Sequence, residues 1–360
     1  MITIKNYNGE NNEILIRFLS QESFMVNSNS PRDSTISSIL DYQKKTNNYG
    51  QQHGTIMINN KEEIVGFLGN LAFPAKYENK NFIAVQTTSA FIDKNYPGNF
   101  KKFINSFILS NEDTIKFSIL PTEKIFSSFE KCGFVQVNKQ RFNKQYYVVI
   151  SPKEFLNEFL QKKEILKFIS KFLFWLIPHN SEQTYKNNNY HCKLMLDFNN
   201  DYSQIEMDYE KRMYSFFSPV WNKNILENKF GNKLLPEKKN LKENEIFHFC
   251  CYNSTNEIIG SIVVKKIRNF NRLIISDIQT ISNNQSFIVK SLIIEVLCCL
   301  KEIDYNSLMF YGIEEYYSAE ILKNFKYFVK NTDKRIYYKP NNKIPPEKIN
   351  FVFSDDDMNF

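Results

Sequence analysis

The sequence has no hydrophobic run long enough to cross a membrane. Its longest apolar stretches, 172–178 and 292–300, are far shorter than the roughly 20 residues that a spanning helix needs. The N-terminus also lacks a basic segment followed by an apolar stretch and a small-residue cleavage site, so nothing marks it for secretion. These absences predict a cytoplasmic protein without a transmembrane helix.

Metal-binding spacings are absent as well. The six cysteines include two adjacent pairs, at 250–251 and 298–299, but no C-x-x-C, and adjacent residues of a helix or strand cannot point at one metal ion. The four histidines form no H-E-x-x-H or comparable spacing. We therefore expect no metal site and free, mostly buried thiols.

Apolar and aromatic residues are what the chain has in abundance. With 360 residues, 42% hydrophobic content, 33 Phe and 20 Tyr, it is too long for one ordinary domain and rich enough to fill two cores. The same composition excludes a disordered chain. The formal net charge of +7 suits an anionic small ligand as well as RNA, so it does not choose between them.

Hydrophobic periodicity predicts an alternating α/β order in a first domain over 1–150. A short opening strand is followed by two helices, a hairpin, a long strand and a helix, predicted over 11–20, 34–42, 55–73, 82–93 and 100–109. A strand, a helix that begins at Pro121 and ends at Gly133, and a last strand follow, over 114–120, 121–134 and 146–150.

The segment 151–178 differs because aromatic and basic residues interleave near helical period. We predict an amphipathic helical connector over 151–180, which either covers one domain with the other or binds a membrane surface. A second domain over 181–345 and an acidic tail over 346–360 follow.

Two features indicate that the second domain is a copy of the first. The pattern E-I-x-G occurs at 63–66 and at 257–260, each time in a predicted hairpin. At similar distances beyond it stand C-G-F at 132–134 and K-N-F at 323–325. Asparagine is the usual substitute for glycine in the left-handed conformation, so we expect both tripeptides to end a helix in the same way.

The order of elements and three motifs resemble the GNAT acyltransferase fold. The motifs are E-I-V-G at 63–66, I-D-K-N-Y-P-G at 92–98 before a helix, and F-E-K-C-G-F at 129–134, close to the family's Y-E-K-x-G-F. The resemblance covers 1–150 well and 200–340 by layout. It implies an α/β chain of the α+β type, with two tandem GNAT-like domains that each have a mixed, largely antiparallel sheet flanked by helices. The tandem arrangement resembles that of GNAT-like proteins of bacterial polysaccharide clusters and, more distantly, FemX-type peptidyltransferases.

The resemblance implies an acyl-CoA site in the first domain. Its diphosphate needs several backbone N–H groups at a helix N-terminus, and the long strand would pair with the pantetheine amides. The candidate cofactor-binding residues are Ala90, Phe91, Ile92, Tyr96, Gly98, Asn99, Lys101 and Lys102. Three polar strand residues line a substrate cleft or, alternatively, form a cross-strand hydrogen-bond ladder: Thr87, Thr88 and Ser89.

The sequence departs from the family pattern where the chemistry lies. Phe129 stands where the family has a tyrosine that protonates the leaving thiolate, and a phenyl ring has no proton to give. We expect Phe129 in the core, with Ser127 or Ser128 as the candidate replacements. Pro97 contributes no N–H to the turn. No catalytic residue is assigned, and the long strand offers no carboxylate as a base.

The second copy has no glycine between its long strand and the next helix. Ser286 there resembles a helix N-cap, which explains the motif without a ligand. Its aromatic residues Tyr311, Tyr316 and Tyr317 either line a cleft or fill the core. The second domain is therefore predicted to be a structural or acceptor-binding partner.

Three functions stay open. The first is an acyl-CoA-dependent N-acyltransferase that uses acetyl-CoA or a longer acyl-CoA and acts on a small amine or an amino sugar. The second is a tandem fold that has lost catalysis and serves as a binding or scaffolding protein. The third is aminoacyl-tRNA-dependent transfer of the FemX type, which the lack of a long basic run disfavours. A nucleic-acid partner is thus not expected, and no oligomeric state is predicted.

Overall fold

The structure is a computed structural model that describes part of the chain. The described residues are 2–9, 12–19, 49–96, 98–110, 113–120, 125–137, 143–159, 178–180, 191–231, 234, 241, 245–267, 270–332, 335–341 and 343–350. Several predicted features lie outside these ranges. They are the helix over 34–42, Pro121, most of the connector, the start of the second domain and most of the acidic tail.

The first sheet combines strands from both ends of the chain. Its strands are β1 Thr3–Tyr7, β2 Gly54–Ile58, β3 Ile64–Tyr77, β4 Lys80–Ile92, β5 Ile115–Leu120, β6 Val135–Val137, β9 Ser218–Pro219 and β15 Arg335–Tyr338. They are ordered β1-β2-β3-β4-β5-β15-β6, and β9 pairs with β3. β4 and β5 run parallel, and the other pairs are antiparallel.

The second sheet repeats this order. Its strands are β7 Lys144–Val149, β8 His191–Met195, β10 Ile246–Tyr252, β11 Ile258–Lys266, β12 Arg272–Thr280, β13 Ser307–Phe310 and β14 Phe328–Asn331. They are ordered β8-β10-β11-β12-β13-β7-β14, with β12 and β13 parallel and the other pairs antiparallel. The prediction of two mixed, largely antiparallel sheets is confirmed.

The two halves of the chain exchange one strand each. β7, predicted to complete the first sheet, lies between β13 and β14 of the second. β15 falls at a strand that the sequence predicts over 335–338, as the last strand of the second domain, but it lies between β5 and β6 of the first sheet. Both strands were located correctly but assigned to the wrong sheet. Alternating aromatic and β-branched residues identify a strand, whereas its partners depend on tertiary contacts that a local pattern does not contain.

Eight α-helices flank the sheets within the described ranges. They are α1 Asn12–Leu19, α2 Phe100–Ser110, α3 Phe126–Lys131, α4 Pro152–Phe159, α5 Ser203–Met213, α6 Lys223–Phe230, α7 Gln285–Glu302 and α8 Glu315–Asn324, and a 3-10 turn covers Pro346–Lys348. α2 buries Phe103, Ile104 and Phe107 against the first sheet, because these residues recur at helical spacing. Within these ranges, none of the helices combines the length and the apolar character that membrane crossing requires.

A hydrophobic layer joins the two sheets. It contains Leu71 and Phe117 of the first sheet, Val149 and Met309 of the second, and Phe217, whose ring stacks on that of Phe117 at 5.7 Å. All five side chains are buried. The halves therefore share an apolar core in addition to the exchanged strands.

A buried ion pair fixes α4, the start of the predicted connector, to the second sheet. Glu158 accepts hydrogen bonds from Arg272 at the start of β12, and its second oxygen accepts from the Asn306 side chain at 2.6 Å and the Asn271 N–H at 3.0 Å. Both side chains of the ion pair are 6% exposed. Removal of either partner would leave a buried charge unpaired, which costs about 3–5 kcal/mol in such pairs.

The helix ends correct two predictions from the repeat. Gly133 has a φ of +80° and follows the end of α3 as predicted. Asn324 is instead the last residue of α8, where its side chain donates to the Glu320 carbonyl at 2.8 Å. Ser286 lies inside α7, the N-cap is Asn284, and the Ser286 hydroxyl donates to the Glu320 carboxylate at 2.5 Å. In both cases, the side chain that local rules predict to cap a helix instead forms a hydrogen bond to Glu320 of α8.

The strand exchange makes a reciprocal prediction for two buried residues. Ile336→Ala in β15 should lower the free energy of unfolding by about 2–4 kcal/mol and speed amide exchange in β5 and β6, because Ile336 is fully buried between them. Val148→Ala in β7 should instead speed exchange in β13 and β14. Urea unfolding with hydrogen-exchange mass spectrometry measures both. If the Ile336 variant showed faster amide hydrogen exchange only in β13 and β14, the assignment of β15 to the first sheet would be wrong.

Candidate functional site

The first candidate site is a gap between two parallel strands of the first sheet. Among the described residues, pairing between β4 and β5 ends at Thr87 and Ser118. β4 runs on to Ile92 and β5 to Leu120 without further pairing to each other. We call the space between these two strand ends the first opening.

Two residues of β4 direct their backbone polar groups into the first opening. The Asp93 N–H donates to the Val65 carbonyl, so Asp93 and Val65 are a hydrogen-bonded pair of the antiparallel β3–β4 ladder. In such a ladder, hydrogen-bonded and non-hydrogen-bonded pairs alternate along the strand. Phe91 therefore directs its N–H and C=O to β3, whereas those of Ala90 and Ile92 point the other way. A ligand that carries amide groups would find donors and acceptors there at strand spacing.

A bulge in β4 lies at the apex of this opening. Leu68 of β3 pairs with Ala90, but Asn70 pairs with Thr87, so β4 has one residue more than β3 at this point. A bulge bends its strand and increases the local twist. The bend accounts for the separation of β4 from β5 directly after Thr87.

The turn after β4 leads directly into α2. The Tyr96 N–H donates to the Asp93 carbonyl at 2.9 Å, and the Asn99 side chain donates to the Tyr96 carbonyl at 3.1 Å. Gly98 has a φ of +82°, an exposed position and open space around it. Glycine is required at Gly98 by this left-handed backbone and not by close packing.

The first turn of α2 is polarised to attract an anion. The N–H groups of Phe100 and Lys101 have no partner within the helix, as at every helix start. Lys101 and Lys102 are exposed, and no acidic residue lies in this turn. The positive end of the helix dipole adds to their charge.

The second sheet has an equivalent opening, but a side chain fills it. β12 pairs with β13 only from Arg272 to Ile274 and runs on to Thr280. The Thr280 N–H faces this second opening and donates to the Tyr317 hydroxyl at 3.1 Å. Tyr317, which is fully buried on α8, donates in turn to Gln279 at 3.3 Å.

Arg212 of α5 closes the second opening further. Its guanidinium donates to Gln279, Glu314 and Asp208 at 2.8, 3.0 and 3.2 Å. It also lies over the Tyr317 ring, 5.7 Å from the centroid. Burial, and to a smaller extent Glu314, raise the pKa of Tyr317, so its hydroxyl stays protonated and able to donate.

The first opening has no counterpart of this tyrosine among the described residues. Tyr317 lies eight residues before the phenylalanine of K-N-F, and the first copy has Phe126 at that distance from the phenylalanine of C-G-F. A phenyl ring has no hydroxyl to offer a strand edge. In the described ranges, no side chain binds the backbone of Ala90 or Ile92 as Tyr317 binds that of Thr280.

The architecture matches solved structures along nearly the whole chain. Saccharomyces cerevisiae N-myristoyltransferase with bound myristoyl-CoA gives a TM-score of 0.55 at 11% identity, over 98% of this chain and 85% of that one. A probable N-acyltransferase from Enterococcus faecalis V583 gives 0.55 at 9% identity, over 94% and 72%. A GCN5-related N-acetyltransferase from Anabaena variabilis ATCC 29413 gives 0.54 at 11% identity, over 94% and 72%. No protein-family model and no curated protein sequence matches the chain.

At these identities the similarity establishes the fold. The chain has a tandem GNAT-like fold. Its two sheets of matching strand order are the two GNAT-like units, and each contains one splayed pair of parallel strands. The resemblance first seen in the motifs at 63–66, 92–98 and 129–134 is thereby confirmed at the level of the fold.

The predicted cofactor-binding residues lie along one path in the first GNAT-like unit. In chain order, the end of β4, the turn and the first turn of α2 contain Ala90, Phe91, Ile92, Tyr96, Gly98, Asn99, Lys101 and Lys102. Pro97 lies outside the described residues. Phe91 differs from its neighbours on the path because its backbone groups bind β3.

The predicted cleft residues lie at the apex, and one of them is engaged. The buried Thr87 hydroxyl lies 2.5 Å from that of Ser118 in β5, which is the cross-strand hydrogen bond considered as the alternative to a cleft. Thr88 is half-buried and covers Gly69, where its hydroxyl leaves no room for a Cβ. Nothing is described of the Ser89 side chain. Sequence analysis missed Ser118 because its strand reads as a buried one.

Phe129 is a core side chain, as predicted. It is buried, and its ring packs against those of Phe134 and Phe100 at 5.1 and 5.9 Å between centroids. Of the two candidate replacements for a proton donor, Ser127 is exposed and Ser128 is half-buried. The position at which the resemblance of the F-E-K-C-G-F motif implies an acid is thus occupied by an apolar ring within a hydrophobic cluster.

A phenol that sequence analysis missed lies beside Phe129. The ring of Tyr337 is 6.3 Å from that of Phe129, and its hydroxyl donates to the Glu130 carboxylate at 2.8 Å. Tyr337 belongs to β15 and reaches the first unit only through the strand exchange. No motif within residues 1–150 contains a signal for it.

Two further features lie apart from the openings. A cavity of about 260 Å³ lies at the start of β5 and is lined by Lys116, Lys339 and Lys343 among others. The first opening lies at the other end of β5, after Ser118. In the part of the chain that the structure describes, no three His, Cys, Asp or Glu side chains converge to hold a metal ion.

The closure of the second opening makes a prediction for Tyr317. Tyr317→Phe should lower the free energy of unfolding by about 1–3 kcal/mol, because the buried Thr280 N–H loses its acceptor. Tyr316→Phe, on the adjacent and partly exposed phenol, is the control and should change stability by less than about 0.5 kcal/mol. Urea unfolding measures both. Equal stability of the two variants would show that this hydroxyl does not close the opening.

Proposed function

We propose that the chain is an acyl-CoA-dependent N-acyltransferase. In this proposal, acetyl-CoA or a longer acyl-CoA binds in the first opening, and the acyl group passes to a small amine or an amino sugar. The observation that carries the proposal is the strand edge of Ala90 and Ile92. No described side chain occupies this edge, and it leads into the turn before α2. The names of the structural neighbours, which are N-acyltransferases, support the class of reaction.

The strand edge suits the pantetheine arm of acyl-CoA. Ala90 and Ile92 each offer an N–H and a C=O on the same side of β4, about 6.8 Å apart along the strand. The arm carries two secondary amides, which could hydrogen-bond to such an edge as an added strand does. In the second opening, the hydroxyl of Tyr317 already occupies the corresponding N–H.

The start of α2 suits the diphosphate. Backbone N–H groups at a helix N-terminus and the exposed ammonium groups of Lys101 and Lys102 favour an anion at this place. An anion at an exposed helix N-terminus gains about 0.3–1 kcal/mol from the helix dipole, so this site would orient the cofactor more than it would hold it. The strand edge would then provide the rest of the binding.

The cofactor supplies an activated thioester, and the protein supplies position. Holding an amine next to the acyl carbon can provide about 7–11 kcal/mol of the barrier reduction without any acid or base. Phe129 has no proton to give, and the Thr87 and Ser118 hydroxyls bind each other. No residue is therefore assigned as a general acid, and positioning is the contribution that we propose for this chain.

A second candidate function is a binding protein that has lost catalysis. It is favoured by the absence of a proton on Phe129 and by the hydrogen bond between the Thr87 and Ser118 hydroxyls. Such a protein would keep the open strand edge and bind acyl-CoA without turnover. Acyl-CoA hydrolysis and transfer to a panel of amines and amino sugars, measured beside binding, distinguish the two. Binding without transfer to any acceptor would favour the second function.

Binding through the strand edge is tested at Ala90. Ala90→Pro removes the N–H that faces the first opening and no hydrogen bond to β3, whereas the control Ala90→Val keeps that N–H. Isothermal titration with acetyl-CoA and longer acyl-CoAs should show one site in the wild type. The Pro variant should bind about three- to tenfold more weakly, which corresponds to about 0.7–1.4 kcal/mol. Wild-type affinity weaker than about 1 mM for every acyl-CoA would overturn the proposal.

Binding of the diphosphate is tested at the two lysines. Removal of both charges, by Lys101→Ala with Lys102→Ala, should weaken acyl-CoA binding about threefold to tenfold at low salt and less at high salt. Lys330→Ala, on an exposed lysine of β14, is the control. Gly98 is unsuited to this test because a side chain at a φ of +82° strains the turn whether or not a ligand binds. Equal effects of the lysine variants and the control would place the diphosphate elsewhere.

A further inference from the structure

Two cysteines lie directly opposite each other in the second sheet. Cys192 of the edge strand β8 is the register partner of Cys251 in β10. Residues directly opposite in an antiparallel pair direct their side chains to the same face. The adjacent cysteine pairs are evident in the sequence, whereas Cys192 and Cys251 are 59 residues apart and become neighbours only in the sheet.

The hydrogen-bond phase of β10 shows which kind of pair this is. The Lys266 N–H donates to the Glu245 carbonyl, so these two residues are a hydrogen-bonded pair of β10 and β11. Because the backbone groups of successive residues point to opposite neighbours, odd-numbered residues of β10 hydrogen-bond to β11 and even-numbered ones to β8. Cys251 and Cys192 therefore form a non-hydrogen-bonded pair, in which the two Cα atoms lie about 4.5 Å apart. That separation falls at the short end of the range of about 4.4–6.8 Å found in disulfides.

The two thiols also meet in the packing. Cys251 is fully buried, Cys192 is half-buried, and both pack into the cluster under α7. Hydrogen bonding to the Cys251 thiol and burial raise the pKa of Cys192. The half-buried thiol is the one that a small reagent can reach, and the buried thiol lies next to it.

We propose that Cys192 and Cys251 form a reversible intrachain disulfide. The Cys192 thiolate attacks a low-molecular-weight disulfide such as oxidised glutathione, and one glutathione thiolate leaves. The Cys251 thiolate then attacks the Cys192 sulfur and displaces the second glutathione. Both protein thiols are oxidised, their two protons pass to solvent or to the leaving thiolates, and one oxidised glutathione becomes two reduced ones. This inference does not rest on the proposed function.

The disulfide would act on the edge strand. β8 has five residues and pairs with β10 alone among the described strands. A covalent link between Cys192 and Cys251 would close the long loop that contains α5 and α6 and would hold β8 on the sheet. Attack by a glutathione thiolate on the Cys192 or Cys251 sulfur would open the link again, so the link would respond to the redox poise.

Oxidation of the full chain with glutathione disulfide tests the proposal. The reaction is followed at alkaline pH, because the hydrogen bond to Cys251 and burial raise the pKa of Cys192 and lower the fraction of thiolate that can attack. We expect a loss of about 2 Da, a peptide pair that joins Cys192 to Cys251, and a Tm higher by at least about 2 °C. Reduction with dithiothreitol should reverse all three.

Two matched variants identify the thiols. Cys192→Ala should abolish the 2 Da loss, whereas Cys298→Ala, on the half-buried thiol of α7 in the same cluster, should leave it unchanged. A link from Cys192 to Cys298 or to Cys250 would overturn the assignment. So would a wild-type chain that keeps free thiols, or only the mixed glutathione adduct, while it stays folded.

Discussion

Each sheet of this protein is completed by a strand from the other half of the chain. β15 separates β5 from β6, and β7 separates β13 from β14. Without this exchange, β5 and β13, the outer strands of the two splayed pairs, would each lack a neighbour on their other side. The shared apolar layer contains side chains of both exchanged strands, and the Glu158–Arg272 ion pair fixes the helix that follows β7 to the second sheet.

The two openings show how one architecture can have two uses. They share the parallel pair, the bulge in the longer strand and the helix that follows. One difference between them is a ring position, where the second unit has Tyr317 and the first has Phe126. A single hydroxyl, with Arg212 behind it, converts an accessible strand edge into part of a core. In the first unit no side chain of the described ranges binds the corresponding strand edge, and this is where we propose ligand binding.

Sequence patterns were sufficient for features that depend on neighbours in the chain. Periodicity located the β2–β3 hairpin, β4, α2 and β5, and glycine chemistry located the turn at Gly133. Features that depend on distant residues could not be obtained in this way. The partners of β7 and β15, the Ser286 hydroxyl and the place of Tyr337 beside Phe129 each depend on a contact from another part of the fold. The apex hydrogen bond of Thr87 was foreseen as one of two possibilities, and its partner Ser118 was not.

The position of β15 has a consequence for the newly made chain. A ribosome completes β1 to β6 long before it reaches residues 335–338, so β5 and β6 emerge with a vacant place between them. N-terminal domains ordinarily fold first during synthesis, and strand edges without partners are where other chains add. In this protein the order is reversed, because the first sheet is the last to close. The strands from β1 to β6 can therefore complete their sheet only after a segment made about 200 residues later has emerged from the ribosome.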